Sequence, residues 1–171
     1  MKKIYIVLTH SGTYFSQVIK FFTRYNYSHV AISFDKNINT MYSFGRKKYN
    51  NPLFGGFVIE KKDGLFYQKY NKTKCVVLEM KISNEKYKEL KELVNEYKEN
   101  QDLYKYDILG LAPRIVNIKI DRKYYKVCSE FVGSLLETTH IYNFEMSVIK
   151  PIDFMNIPNK RIIYEGSLVN Y

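Results

Sequence analysis

Two runs of β-branched and apolar residues set the first constraint on this chain: Lys3 to Leu8 (KIYIVL) and Cys75 to Met80 (CVVLEM). Runs of this length and composition form buried strands. A third, His29 to Phe34 (HVAISF), is followed by the turn DKNINT and by Met41 to Arg46 (MYSFGR), which returns as the second arm of a hairpin. Helical spacing alternates with these strands. Phe15, Val18, Ile19 and Phe22 mark a short amphipathic helix. A longer one, capped by Ser83 or Asn84, carries the stripe Tyr87, Leu90, Leu93, Val94 and Tyr97, with Glu85 in its first turn. Val127 to Glu137 (VCSEFVGSLLE) makes a third, with Phe131, Leu135 and Leu136 inward. YNNPLFGG reads as a loop, Gly56 to Glu60 as a short strand, Tyr104 to Leu111 as a short helix stopped by Pro113, KPIDFMNIPN as a loop or helical turn, and Lys160 to Glu165 as a last strand. Local hairpins with segregated helices point to an α+β fold, in one domain over residues 1–171.

With 46% apolar and 16% aromatic residues, the chain is rich enough to bury a core, and its 17 tyrosines can fill that core while keeping their hydroxyls on polar partners. Two cysteines are too few for a disulfide framework. The opening MKKIYIVLTHSG reads as a strand, not a leader, and no run approaches the roughly 18 apolar residues of a membrane span. A cytoplasmic protein with both thiols reduced is therefore expected. The formal charge of +10 comes from lysines scattered in pairs, which describes a solvated basic surface. Transient contact with an anionic membrane surface fits that charge, whereas nucleic acid is not an expected partner, because no arginine cluster or recognition motif accompanies it.

Few residues can carry chemistry. Cys128 stands at the first turn of its helix, where unpaired backbone N–H groups and the positive end of the helix dipole stabilise a thiolate. His29 opens a strand after Ser28. His10 sits in a polar turn after the first strand, and His140 follows Thr138 and Thr139 at a helix end. Cys75 lies inside an apolar strand and reads as a small core residue. No ligand spacing for a metal and no glycine-rich phosphate loop occurs, so neither a metal nor a cofactor is expected.

The succession YSHVAISFD, MYSFGRK, NPLFGGFVIE, VCSEFV and KPIDF resembles the circularly permuted branch of the NlpC-type papain-like cysteine hydrolase superfamily, over nearly the whole chain. In that branch the histidine strand precedes the cysteine helix. The resemblance implies an antiparallel sheet or half-barrel packed against helices, with Cys128 as nucleophile and His29 as base. It implies a third, orienting residue as well. The motif alignment places Ser43 there, while Glu60 is the alternative that supplies a carboxylate. Tyr27 and Glu130 lie close by in sequence without an assigned role. The substrate class so implied is a small peptide, an amide or an acyl lipid, cleaved or transferred as an amide or ester. Tyr14, Phe15, Tyr27, Phe44 and Phe57 are candidates to line an apolar acyl site. A fold that binds without catalysing is the other expectation.

Overall fold

The structure is a computed structural model and describes residues 1–13, 26–48, 51–107, 110, 113–114, 118, 122–144 and 148–171. The helix expected around Phe15 to Phe22, and Tyr14 with it, lie outside the described residues. The elements run β1 (Lys2–His10), β2 (His29–Ser33), β3 (Met41–Lys48), β4 (Asn51–Glu60), α1 (Leu65–Lys69), β5 (Lys74–Ile82), α2 (Asn84–Glu99), β6 (Lys105–Tyr106), β7 (Tyr125–Lys126), α3 (Cys128–Thr138), a 3-10 turn (Pro151–Asn156) and β8 (Arg161–Ser167). Six strands form one sheet in the order β4-β3-β2-β1-β5-β8, and every neighbouring pair is antiparallel. The architecture is mixed α+β.

The apolar runs of β1 and β5 are continuous because both faces of the sheet centre are covered. Ile4, Ile6, Leu8, Val76, Leu78 and Met80 face a core shared with Leu90 and Val94 of α2 and Phe131, Val132 and Leu135 of α3. Their strand neighbours Tyr5, Val7, Cys75 and Val77 face a second core closed by Tyr67 of α1 and Leu168. A strand alternates its side chains, so two covered faces require an unbroken apolar run. Aromatic rings fill much of the first core. Phe131 lies 5.2 Å from Phe44 and 5.1 Å from Tyr97, ring centre to ring centre.

Helix ends follow their local chemistry. The Ser83 side chain accepts from the Lys86 N–H and caps α2. At α3, Val127 stands in the capping position and has no polar side chain, so Glu130 supplies the bond from inside the helix. Its Oε2 accepts from the Val127 N–H at 3.2 Å.

Two local expectations are corrected. NPLFGG is not a loop: Asn51–Glu60 is one strand on the sheet edge, where Pro52 is tolerated because one side of the strand needs no donor. Its glycines answer a crossing chain. A Cβ on Gly56 would stand 2.5 Å from the Tyr104 carbonyl oxygen, and one on Gly55 would stand 2.6 Å from the Tyr106 Cβ. That crossing chain is the second correction. Tyr104 to Asp107 is not helical, because Lys105–Tyr106 pairs in parallel with Tyr125–Lys126. Helix α1, over LFYQK, carries too few residues for a periodic signal in the sequence.

Candidate functional site

The site is assembled where β2 begins. His29, the first residue of β2, pairs across the ladder with Thr9 of β1. Its Nε2–H donates to Glu60 Oε1 at 2.7 Å. The other carboxylate oxygen of Glu60 accepts from the Tyr67 hydroxyl at 2.5 Å. Thr9 is close enough to the Tyr67 hydroxyl to act on its proton affinity. The His29, Glu60 and Tyr67 side chains therefore form a chain of hydrogen bonds at the end of the sheet, drawn from β2, β4 and α1, beside Thr9 of β1. Gly45 lies against the pair: a Cβ there would make ordinary van der Waals contact with His29 Cε1 at 3.7 Å and Glu60 Oε1 at 3.9 Å.

Cys128 opens α3 with its thiol close enough to the His29 ring to act on its proton affinity. Because Nε2 is committed to Glu60, Nδ1 is the ring nitrogen left for a second partner. Burial by itself would lower the proton affinity of His29. The Glu60 carboxylate, its hydrogen bond and the neighbouring Cys128 outweigh it, and the ring is held well above the ordinary imidazole range. For Glu60, burial pushes upward, but the His29 charge and the hydrogen bonds from His29 and Tyr67 bring its carboxyl below its ordinary value. The result is an imidazolium–carboxylate pair with a sulfur at its open end. Burial, with the charge and hydrogen bond of Glu60, raises Tyr67 far above its ordinary value, so it remains a donor.

Ser43 does not join this group. Its hydroxyl is fully buried and donates to the Val30 carbonyl at 2.6 Å. A serine on the strand beside β2 is drawn to the nearest backbone acceptor, whereas Glu60 has the length to reach the ring. Two predictions separate them. Glu60→Gln shifts the His29 titration to lower pH, read by the ring-proton NMR shifts, while Ser43→Ala leaves it in place and costs about 1 kcal/mol of stability. The sign follows from the pair. A His29 that binds its proton more tightly folded than unfolded stabilises the fold fully below about 6.5, and this contribution disappears as pH rises through the raised folded value. Glu60, lowered on folding, contributes above about 4.5 and loses its contribution as pH falls through its lowered value. In Glu60→Gln the loss on the alkaline side still begins at about 6.5 but is complete at lower pH, and the total contribution is smaller.

A cavity of about 610 Å³ opens beside the pair, lined among others by Thr9, His29, Arg46, Glu60, Phe66 and Tyr106. Cys128 is only 4% exposed, but His29 and Tyr106, both in the cavity wall, lie within its electrostatic reach. Burial above all, with Cys128 as a lesser influence, raises Tyr106 far above its ordinary value, so its phenol stays neutral.

Sequence reasoning did not reach the support behind Cys128. Arg114 donates from Nη1 to Asp107 Oδ2 at 2.9 Å and from Nη2 to Glu130 Oε1 at 2.7 Å. Arg122 donates to the other Asp107 oxygen at 3.1 Å. Glu130 thus links this charge network to the N-terminus of α3. Nothing in residue spacing marks Asp107, Arg114 and Glu130 as partners, and Tyr67 lies in the helix that periodicity missed.

The remaining candidates fall elsewhere. The Tyr27 hydroxyl donates to Glu165 Oε1 at 3.1 Å. Phe44 is fully buried in the core, Phe57 is shared by core and cavity wall, and Phe15 and Tyr14 are outside the described residues. His140 is exposed, and the His10 ring lies 3.5 Å from the Ser28 hydroxyl. Cys75 is buried, its thiol pushed up to about 12 by burial. Among the described residues no group of three or more His, Cys, Asp or Glu side chains could hold a metal, and no helix is long and apolar enough to cross a membrane. The chain matches no protein-family model, no curated protein and no solved structure.

Proposed function

We propose that this chain is a cysteine hydrolase of permuted papain-like type, acting on an amide or ester through Cys128, His29 and Glu60. The observation that carries the reading is the His29 ring bonded to the half-buried Glu60 carboxylate at 2.7 Å, with the Cys128 thiol at the start of a helix within its electrostatic reach. Base, nucleophile and orienting group each have the partner their role requires.

In this mechanism the Cys128 sulfur attacks the substrate carbonyl carbon and the His29 imidazolium gives its proton to the leaving amine or alcohol. Water then attacks the thioester, with His29 accepting its proton, and the acid leaves as Cys128 is restored. Glu60 keeps the ring oriented and stabilises its charge through both steps. The Cys128 N–H is one donor for the developing oxyanion. Delivery of the acyl group to an acceptor other than water would make the same site an acyltransferase, with an acyl lipid among its substrates. The basic surface is compatible with a lipid face, but the aromatic residues invoked for an acyl site give it little support, since Tyr27 and Phe44 serve other contacts.

The burial of Cys128 favours a second reading, a papain-like fold that binds without turnover. Intact-mass spectrometry after incubation with p-nitrophenyl esters from acetate to octanoate decides between them. The expected result is one acyl adduct per chain, mapped to Cys128 and absent from Cys128→Ala. No adduct and no p-nitrophenol above buffer with any ester would overturn the catalytic reading.

A further inference from the structure

The rim of the cavity beside His29 combines exposed aliphatic side chains with lysines. Ile59, near the end of β4, and Leu65, at the start of α1, both line it and are 43% and 74% exposed. Gln101 extends the rim toward Leu103, two residues further on and 56% exposed. Lys47 and Lys61 belong to the same lining. Lys61 is exposed, and Lys47 Nζ donates to the Gln101 carbonyl at 3.4 Å and lies 4.0 Å from Asp102 Oδ1. Leu65 owes its place to its neighbours. The Tyr67 hydroxyl turns inward to Glu60 at 2.5 Å, and the Phe66 ring packs 5.1 Å from Tyr67 and 4.9 Å from Tyr70, ring centre to ring centre. Behind them Arg46, half-buried, donates to the Thr13 hydroxyl at 3.4 Å, and its guanidinium carbon stands 5.5 Å from the centre of the Phe66 ring. The short helix is fixed on its inner side, and its first side chain is left largely in water.

From this arrangement we infer that the cavity rim is a docking surface for an anionic lipid bilayer. Leu65, Ile59 and Leu103 enter the boundary between headgroups and acyl chains, and the lysines rest against the headgroup charge. Charge and shape point to the same occupant. From Lys61 to Lys69 the chain carries three lysines and a single acid, Asp63, with Leu65 in their midst, and the formal charge of the whole chain is +10. A nucleic acid would answer the charge equally, but it calls for exposed rings on which bases stack, and isoleucine and leucine offer none. The aliphatic side chains stand apart from one another around an opening. A fluid bilayer accommodates each of them separately, whereas a protein surface would need a matching pocket for each.

Co-sedimentation with vesicles tests the surface. Wild type should bind vesicles of phosphatidylcholine with about 30% phosphatidylserine at least about tenfold more tightly than phosphatidylcholine alone, and should lose affinity as salt rises from about 0.1 M to about 0.5 M. Leu65→Ser should weaken binding about tenfold and Lys61→Gln about fivefold. Two exposed positions away from the rim serve as controls. Ile162→Ser, on β8 at the opposite edge of the sheet from β4 and 49% exposed, and Lys88→Gln, on α2, should each change binding by less than about twofold. No binding to the anionic vesicles, or an equal loss in Leu65→Ser and Ile162→Ser, would overturn the assignment. Preference for an oligothymidylate over the vesicles, weakened by Lys61→Gln and unchanged in Leu65→Ser, would give the surface to nucleic acid instead.

The chain contains no tryptophan, so Leu65→Trp and Ile162→Trp each introduce a lone fluorescent reporter. Emission from position 65 should move to shorter wavelength when anionic vesicles are added, and emission from position 162 should not move. A shift at both positions, or at neither, overturns the docking surface. Neither measurement needs turnover. Failure here therefore leaves the catalytic reading of Cys128 standing, and failure of that reading leaves the lipid surface standing.

Discussion

Iodoacetamide at pH 7 alkylates Cys128 at least about a hundredfold faster than Cys75, and His29→Ala removes most of that difference. The two thiols offer an internal comparison. Cys75 is fully buried in the second core, and with its thiol pushed up to about 12 only about one molecule in 10⁵ carries the thiolate at neutral pH. Cys128 has the His29 ring within its electrostatic reach, and Glu60 holds that ring in its protonated form. Removing the imidazole removes both that cation and the route for the proton, at an expected cost of about 10²-fold or more in rate. Peptide mapping of a labelling time course reads both sites in one sample. Slow labelling of both cysteines at one common rate would sink the idea of an activated Cys128. Tyr67→Phe gives a graded check: Glu60 keeps its bond from His29 but loses the one at 2.5 Å, so the Cys128 rate should fall less than in His29→Ala.

Arg114→Met lowers stability by about 3 kcal/mol, measured by urea unfolding. Arg114 is 7% exposed at its side chain and Asp107 not at all, so removing the cation leaves a buried carboxylate short of its nearest partner. Arg122, still bonded to the other Asp107 oxygen, keeps the cost toward the low end of the range of about 3–5 kcal/mol expected when one member of a buried pair is lost. The double variant Arg114→Met with Asp107→Asn should recover much of the loss, because no unpaired charge then remains. A second readout links this network to the site. Glu130 loses its guanidinium partner while it still accepts from the Val127 N–H, so the start of α3 is held less firmly and Cys128 alkylation should slow. Stability within 0.5 kcal/mol of wild type, roughly the range of an ordinary surface substitution, would show that the network is not a support.

The strands and long helices were legible because each has a local cause. The unbroken apolar runs of β1 and β5, the stripe on α2 and its Ser83 cap are properties of neighbouring residues, and so is the placement of Cys128 at the start of α3. The exceptions have tertiary causes. The edge strand through Pro52 and the glycine pair looked like a loop because the feature that requires glycine, the chain at Tyr104 and Tyr106, arrives from about fifty residues further on. The Lys105–Tyr106 pairing depends on a partner strand that a helical reading of YDILGLAP does not include.

The amino-acid sequence by itself determined that this chain makes an α+β fold with a cysteine at a helix start and a histidine at a strand start. These follow from periodicity and capping, which act over a few residues. Only the tertiary structure decided what each of them faces. Both Ser43 and Glu60 were compatible with the motif order, and the choice came from reach: the serine found the Val30 carbonyl, while Glu60 spans to His29 Nε2. The same holds for Tyr67 behind Glu60, for Arg46 in the cavity wall, and for Arg114 between two carboxylates. Each interaction joins side chains from distant segments, and its strength depends on burial and on distances of 2.5–3.4 Å that exist only once the sheet has closed.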